Sequence, residues 1–259
     1  MEKRKIGLAL SGGGVRGFGH LGVIKALEEK GITASIISGT SAGAIVAAFY
    51  ASGYNVDDII KIAKKTDFFA IKHIQFGKAG LFNMKALEHL ITENIPSDSF
   101  ESLKIPIYVC ASNLMENKPH YFSSGVLSKA IMASSCLPMV YEPVMLNDVL
   151  YLDGGLLDNF PVNILKDKCD LLIGSYMNSL STKHEDLHMR DMLDRSFHMA
   201  ISCSMEEKSR LCDLYIAPND MSRFGMLDTS KIDEIVKFAY DFTVDLLKND
   251  QFLITTNTK

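Results

Sequence analysis

Two glycine-rich turns constrain this chain more than any other feature, because each stands between a short apolar run and a helical pattern. The first, Ser11-Gly12-Gly13-Gly14-Val15-Arg16-Gly17, follows Ile6-Gly-Leu-Ala-Leu10. The second, Gly39-Thr40-Ser41-Ala42-Gly43, comes one β–α unit later, after Ser35-Ile36-Ile37. A buried strand that runs through a tight turn straight into a helix is the repeating unit of a parallel α/β sheet.

The rest of the chain keeps that alternation. Helices are predicted from Gly17 to a C-terminal cap at Gly31, from Ala42 to Ala51 with a stop near Gly53, and from an Asn55 cap to Lys65. Further helices are predicted from an Asn83 cap to Ile95, and from Val126 to Ser135. Ile105 to Ala111 reads as a strand with Tyr121-Phe122 beside it, and Val144 to Leu152 as a hairpin turning at Asn147-Asp148. Leu171 to Ile173 and Leu214 to Ile216 are later strands, Asp186 to Arg210 an amphipathic segment, and Ile232 to Leu247 a last helix. The fold class is therefore α/β, a mostly parallel central sheet flanked by helices. No repeat, low-complexity tract or linker divides the 259 residues, so a single domain over 1–259 is expected, with a polar tail at 250–259.

Charge narrows the function classes. Lys and Arg number 27 against 31 Asp and Glu, a net of −4, and the one tight basic cluster is Lys3-Arg4-Lys5. A nucleic-acid partner is not expected of such a chain. The five cysteines form no C-x-x-C pair, and Cys136 and Cys169 have no His at metal spacing, so the set reads as buried thiols in a reducing compartment, with no metal. Ile6 to Leu10 is too short for a signal-peptide core, and the apolar stretch from Ala42 to Tyr50 falls short of a membrane span. A cytoplasmic protein is expected, with at most transient contact with a membrane.

The first turn exposes backbone N–H groups at a helix start, where negative charge is favoured. Gly12, Gly14 and Gly17 also fit a dinucleotide fingerprint, but no acidic residue stands near the end of the following strand. The second turn is a Gly-x-Ser-x-Gly nucleophile elbow in its required setting, with Ser41 at its apex between Gly39 and Gly43. Two adjacent parallel strands would bring both turns to one edge of the sheet, where a nucleophile needs oxyanion donors. Asp153-Gly154-Gly155, after Leu150-Tyr151-Leu152, is the third motif. The base remains open on these residues alone. Ser41, Asp153 and His184 or His188 follow the chain order of α/β-hydrolases, but both histidines lie in a polar helix entry. His20, beside the first glycine turn, reads as a packing residue.

Taken together, these residues resemble the patatin-like phospholipases. Leu8 to Gly17 is similar to the family's oxyanion loop, and Ser38 to Ala44 to its nucleophile elbow. Ala133-Ser-Ser-Cys-Leu-Pro138 with Glu142-Pro-Val144 is similar to the segment before its aspartate, and Leu152 to Pro161 to its Asp-Gly-Ala/Gly block. The motifs keep the family's order within about residues 6–176. The resemblance implies a three-layer α/β/α fold and a serine esterase or lipid acyl hydrolase. Ser41 would be the nucleophile and Asp153 its direct base, with Gly12, Gly13 and Gly14 as oxyanion donors and no cofactor. Arg16 would either anchor the loop or meet substrate, and Gly17, Gly39, Gly43, Gly154 and Gly155 would support the turns. Gly155 stands where many members carry Ala. The implied substrate is a phospholipid or related acyl ester. A partner-binding protein with minor hydrolysis and an acyltransferase are the alternative outcomes of the same site. Thr66 to Phe82 is either a core-covering loop or a flap in which Phe68, Phe69, Phe76 and Phe82 meet acyl chains or a lipid interface. The Met-rich stretch from Met189 to Met205 is read as core, with an acyl-pocket lining as the alternative.

Overall fold

The structure is a computed structural model, and it describes residues 4–65, 80–82, 84–179, 205–226 and 228–249. Its centre is a sheet in the order β10-β9-β1-β2-β4-β8-β7, with β5 also paired to β4. The strands are β1 (Ile6–Leu10), β2 (Ile36–Thr40), β4 (Ile107–Asn113), β5 (Lys118–Phe122), β7 (Val144–Leu146), β8 (Val149–Asp153), β9 (Leu171–Ser175) and β10 (Leu214–Ile216). A separate parallel pair joins β3 (Gly80–Phe82) to β6 (Met139–Tyr141). Neighbours from β10 through β4 run parallel, whereas β5, β7 and β8 are each antiparallel to their partners.

Flanking helices are α1 (Gly19–Glu29), α2 (Ala42–Ser52), α3 (Val56–Lys65), α4 (Lys85–Asn94), α5 (Leu127–Ser135), the single turn α6 (Gly155–Asp158), α7 (Met205–Ser209) and α8 (Ile232–Asn249). Residues Ala42 through Ala51 are all buried, as a run of small and apolar side chains allows. Helix α8 lies so close to α1 that a Cβ on Gly22 would stand 2.1 Å from the carbonyl oxygen of Val236. Among the described residues no helix is long and apolar enough to cross a membrane.

The local signals hold where they depend on neighbours in sequence. Asn55 Oδ1 accepts the Asp58 N–H at 2.9 Å, as an N-cap does. Gly53 ends α2 in the left-handed conformation with φ 96°. Asn147 and Asp148 both have positive φ, 50° and 62°, the backbone a two-residue type I′ hairpin requires. Three expectations need correction. The helix expected from Gly17 begins at Gly19, because Gly14–Phe18 first makes a 3-10 turn. The strand expected at Ile105 to Ala111 is shifted by two residues. The cap of α4 is Met84, without a side-chain bond, while Asn83 lies outside the described residues. Most of Asp186 to Arg210 and the tail after Asn249 also lie outside them.

Candidate active site

Sheet register explains why two residues 112 positions apart in the chain meet. Strand β2 runs up one edge of β4 and stops with Thr40 opposite Cys110. Strand β8 comes down the same edge from the other direction and stops with Asp153 opposite Ala111. The two strand ends therefore face each other beside β4. Ser41, the first residue past β2, donates its Oγ–H to Asp153 Oδ2 at 2.8 Å. Ser41 has φ 53° and ψ −121°, a backbone conformation that costs a non-glycine residue on the order of 1–3 kcal/mol and exposes the hydroxyl.

The end of α5 holds both partners. Ser134 Oγ accepts the Ser41 N–H at 2.8 Å and donates to Cys110 O at 2.5 Å. Ser134 O accepts the Gly154 N–H, and Cys136 O accepts the Asp153 N–H. The segment before Asp153 is thus a clamp, and Ser134 is a site residue the motif reading did not single out. The turns are tight enough to exclude a side chain. A Cβ on Gly39, Gly43 or Gly154 would stand 2.6, 2.5 or 2.2 Å from a backbone oxygen, and one on Gly17 would stand 2.5 Å from Ala42 Cβ.

The glycine loop lies beside the elbow because β1 pairs in parallel with β2, Leu10 opposite Gly39. Here the expectation for Gly12 is corrected. Its N–H already donates to Asn159 O at 3.0 Å, and its carbonyl accepts from Asn178 Nδ2. Gly12 is therefore a pinned hinge point, and its amide is not available to an oxyanion. Among the described residues no hydrogen bond engages the Gly13 or Gly14 N–H, and both stand where the 3-10 turn begins. Gly14, at φ 56°, turns the chain there, and Met226 O accepts the next N–H, that of Val15, at 2.8 Å. Arg16 is buried, and its Nε donates to Phe224 O at 2.6 Å. These bonds fasten the loop to the 222–226 segment. His20 fastens the loop from below. Its Nε2 meets Ser11 O at 2.8 Å, so this nitrogen carries the proton, and Nδ1 accepts from Ser175 Oγ at 2.8 Å.

A second buried carboxylate completes the surroundings. Asp158, at the end of α6, pairs with Lys208 Nζ from α7 at 2.5 Å and accepts the Tyr121 hydroxyl from β5 at 2.5 Å. Its carbonyl accepts Thr40 Oγ1–H at 2.9 Å. This network holds α6 against the end of β2, and α6 supplies the Gly155 N–H that bonds Asp153 Oδ1 at 2.8 Å.

Burial raises the Asp153 pKa to about 6, the Gly155 amide and Ser41 hydroxyl opposing it only in part. Near neutral pH Asp153 is therefore a carboxylate, yet a far better proton acceptor than an exposed one. Burial lowers His20 to about 4, so it stays neutral there. The two shifts act oppositely on stability. Ionising Asp153 costs stability as pH rises from about 4 through 6, about 3 kcal/mol once complete. Protonating His20 costs a similar amount as pH falls from 6.5 through 4. Asp153→Asn is therefore expected to gain about 2–3 kcal/mol at pH 8 and to lose stability steeply on acidification, where wild type stays nearly flat. Urea unfolding at pH 4.5 and pH 8 measures both, and equal stability of the two proteins at pH 8 would contradict the burial argument.

Phe68, Phe69 and Phe76 lie outside the described residues, as do His184 and His188, and Phe82 is placed only as a backbone member of β3, opposite Tyr141. Among the described residues no cluster of three or more His, Cys, Asp or Glu side chains could hold a metal ion.

Comparison with known proteins bears on this arrangement. The family described as Patatin-like phospholipase matches residues 8–166. The chain is 28% identical to "Lysophospholipase NTE1" of Candida albicans and 30% identical to "Lysophospholipase NTE1" of Kluyveromyces lactis, over 95% and 97% of its own length. It spans only 20% of each of those proteins. It is 33% identical to an uncharacterized NTE family protein of Mycobacterium tuberculosis, over 67% of this chain and 49% of that one. Among solved structures, VipD from Legionella pneumophila shares the fold with a TM-score of 0.56 at 18% identity, covering 95% of this chain and 67% of that one.

Proposed function

The chain belongs to the patatin-like phospholipase family, and from that premise we propose that it is a lipid acyl hydrolase working through a Ser41–Asp153 dyad. The observation that carries the reading is the 2.8 Å hydrogen bond from Ser41 Oγ to Asp153 Oδ2 at a strained elbow, with no histidine between them.

In this reading Asp153 takes the Ser41 proton as Oγ attacks the ester carbonyl. Negative charge on the carbonyl oxygen is met by the Gly13 and Gly14 amides, each such donor contributing a few kcal/mol in the transition state. The Oγ–carbon bond forms, the ester carbon–oxygen bond breaks, and the departing alcohol takes the proton from Asp153. Water then attacks the acyl-enzyme with Asp153 again as base, releasing the fatty acid and restoring Ser41. Leu156 and Leu157, 36% and 39% exposed directly after Gly155, support contact between this edge of the site and a lipid surface.

Relatives named lysophospholipase make lysophosphatidylcholine the first substrate to test. It is expected to be cleaved to fatty acid, and to slow fluorophosphonate labelling of the protein in competition. A protein that hydrolyses neither lysophosphatidylcholine, phosphatidylcholine nor a p-nitrophenyl ester would contradict the proposal.

A further inference from the structure

Asn159, beside the dyad, carries a buried side-chain donor that is unused among the described residues. Its residue is 6% exposed, its Nδ2 is fully buried, and that atom has no partner among the described residues. No hydrogen bond there holds its Oδ1 either. A buried amide nitrogen left this way is destabilising unless something uses it. The backbone of the same residue is fixed, since its carbonyl accepts the Gly12 N–H.

The carboxamide head fills a slot left by two missing side chains. Oδ1 lies 2.4 Å from where a Cβ on Gly12 would stand, a point itself 3.4 Å from Ser41 Cβ. It lies 3.0 Å from where a Cβ on Gly155 would stand, and Asp153 Oδ1 lies 3.0 Å from that same point. The head therefore shares a small space with both members of the dyad. Turning it half a revolution about its terminal torsion exchanges the oxygen and the NH2 group, and it breaks no hydrogen bond to a described residue.

We propose that Asn159 is a positioning residue for Asp153, its carboxamide presenting N–H to the charged carboxylate and oxygen to the carboxylic acid. The base must pass through both forms in every turnover, and a side chain limited to donating or to accepting would oppose one of them. This inference rests on the dyad reading and deepens it.

The other ionisable groups around Asp153 do not mask the effect. Cys110 on β4 and Cys136 after α5 both sense its charge, and burial keeps both thiols protonated, Cys136 pushed up to about 12. Asp158 on α6 is paired with Lys208 from α7 and bonded by Tyr121 from β5. Ser41 bonds Asp153 directly.

The test is the pH dependence of kcat/KM for p-nitrophenyl butyrate, measured on the full chain with Asn159→Leu and Asn159→Ser beside wild type. Wild type is expected to show an acidic limb set by the titration of Asp153. Both variants should move that midpoint upward by about one pH unit, because the charged form loses a donor. Well below the wild-type midpoint activity should fall about tenfold, and hardly at all at pH 9. A midpoint unmoved in whichever variant folds, whatever its activity, overturns the positioning role. Should Asp153→Asn keep wild-type activity, the dyad itself fails, and the two failures are told apart.

Discussion

Ser41→Ala is expected to abolish ester hydrolysis to below about a thousandth of the wild-type rate, and Asp153→Asn to do the same. The two losses should not add, because each removes one end of a single proton-transfer unit. The reason lies in the geometry. Ser41 Oγ donates directly to Asp153 Oδ2 at 2.8 Å, and among the described residues no imidazole stands between them. An amide at position 153 fills the same space and keeps a hydrogen bond to the hydroxyl, but it takes up no proton. The loss should therefore appear in kcat, with folding intact. Initial rates on a p-nitrophenyl ester, with circular dichroism as the folding control, measure it. Substantial activity in either variant would contradict the dyad.

Lys208→Met is expected to destabilise the protein by about 3–5 kcal/mol. Lys208 and Asp158 are 8% and 4% exposed and lie 2.5 Å apart. Removing the ammonium leaves a carboxylate buried with, among the described residues, the Tyr121 hydroxyl alone to solvate it. The double variant Asp158→Asn with Lys208→Met removes both charges, and most of the lost stability should return. The single variant should also lose activity, because α6 carries the Gly155 amide that orients Asp153. Urea unfolding of the two single variants and the double variant closes the cycle. A single variant as stable as wild type would mean that the pair contributes nothing to holding α6.

What the sequence revealed was local in origin. The glycine turns, the elbow, the Asn55 cap and the Asn147-Asp148 hairpin each depend on residues a few positions apart, and each stands where it was read. The resemblance added Asp153 through its motif, but the meeting of β2 and β8 on one edge of β4 is a matter of register between distant strands. No residue near Asp153 announces that register. The same applies to the Gly12 amide, whose partner Asn159 is far away in the chain, and to Arg16, which reaches Phe224. Lys208 looks in sequence like one charge on a polar helix, and its burial follows only from packing against Asp158. The pKa of Asp153 was open in the sequence because burial and amide bonding act in opposite directions, and the enclosed strand end makes burial the larger effect.

In the proposed mechanism Ser41 is the nucleophile and Asp153 activates it directly. Fluorophosphonate labelling of the intact protein, followed by peptide mapping, tests this most directly. One adduct on Ser41 is expected, absent in Ser41→Ala and formed orders of magnitude more slowly in Asp153→Asn. An adduct on another residue, or undiminished labelling of Asp153→Asn, would contradict it.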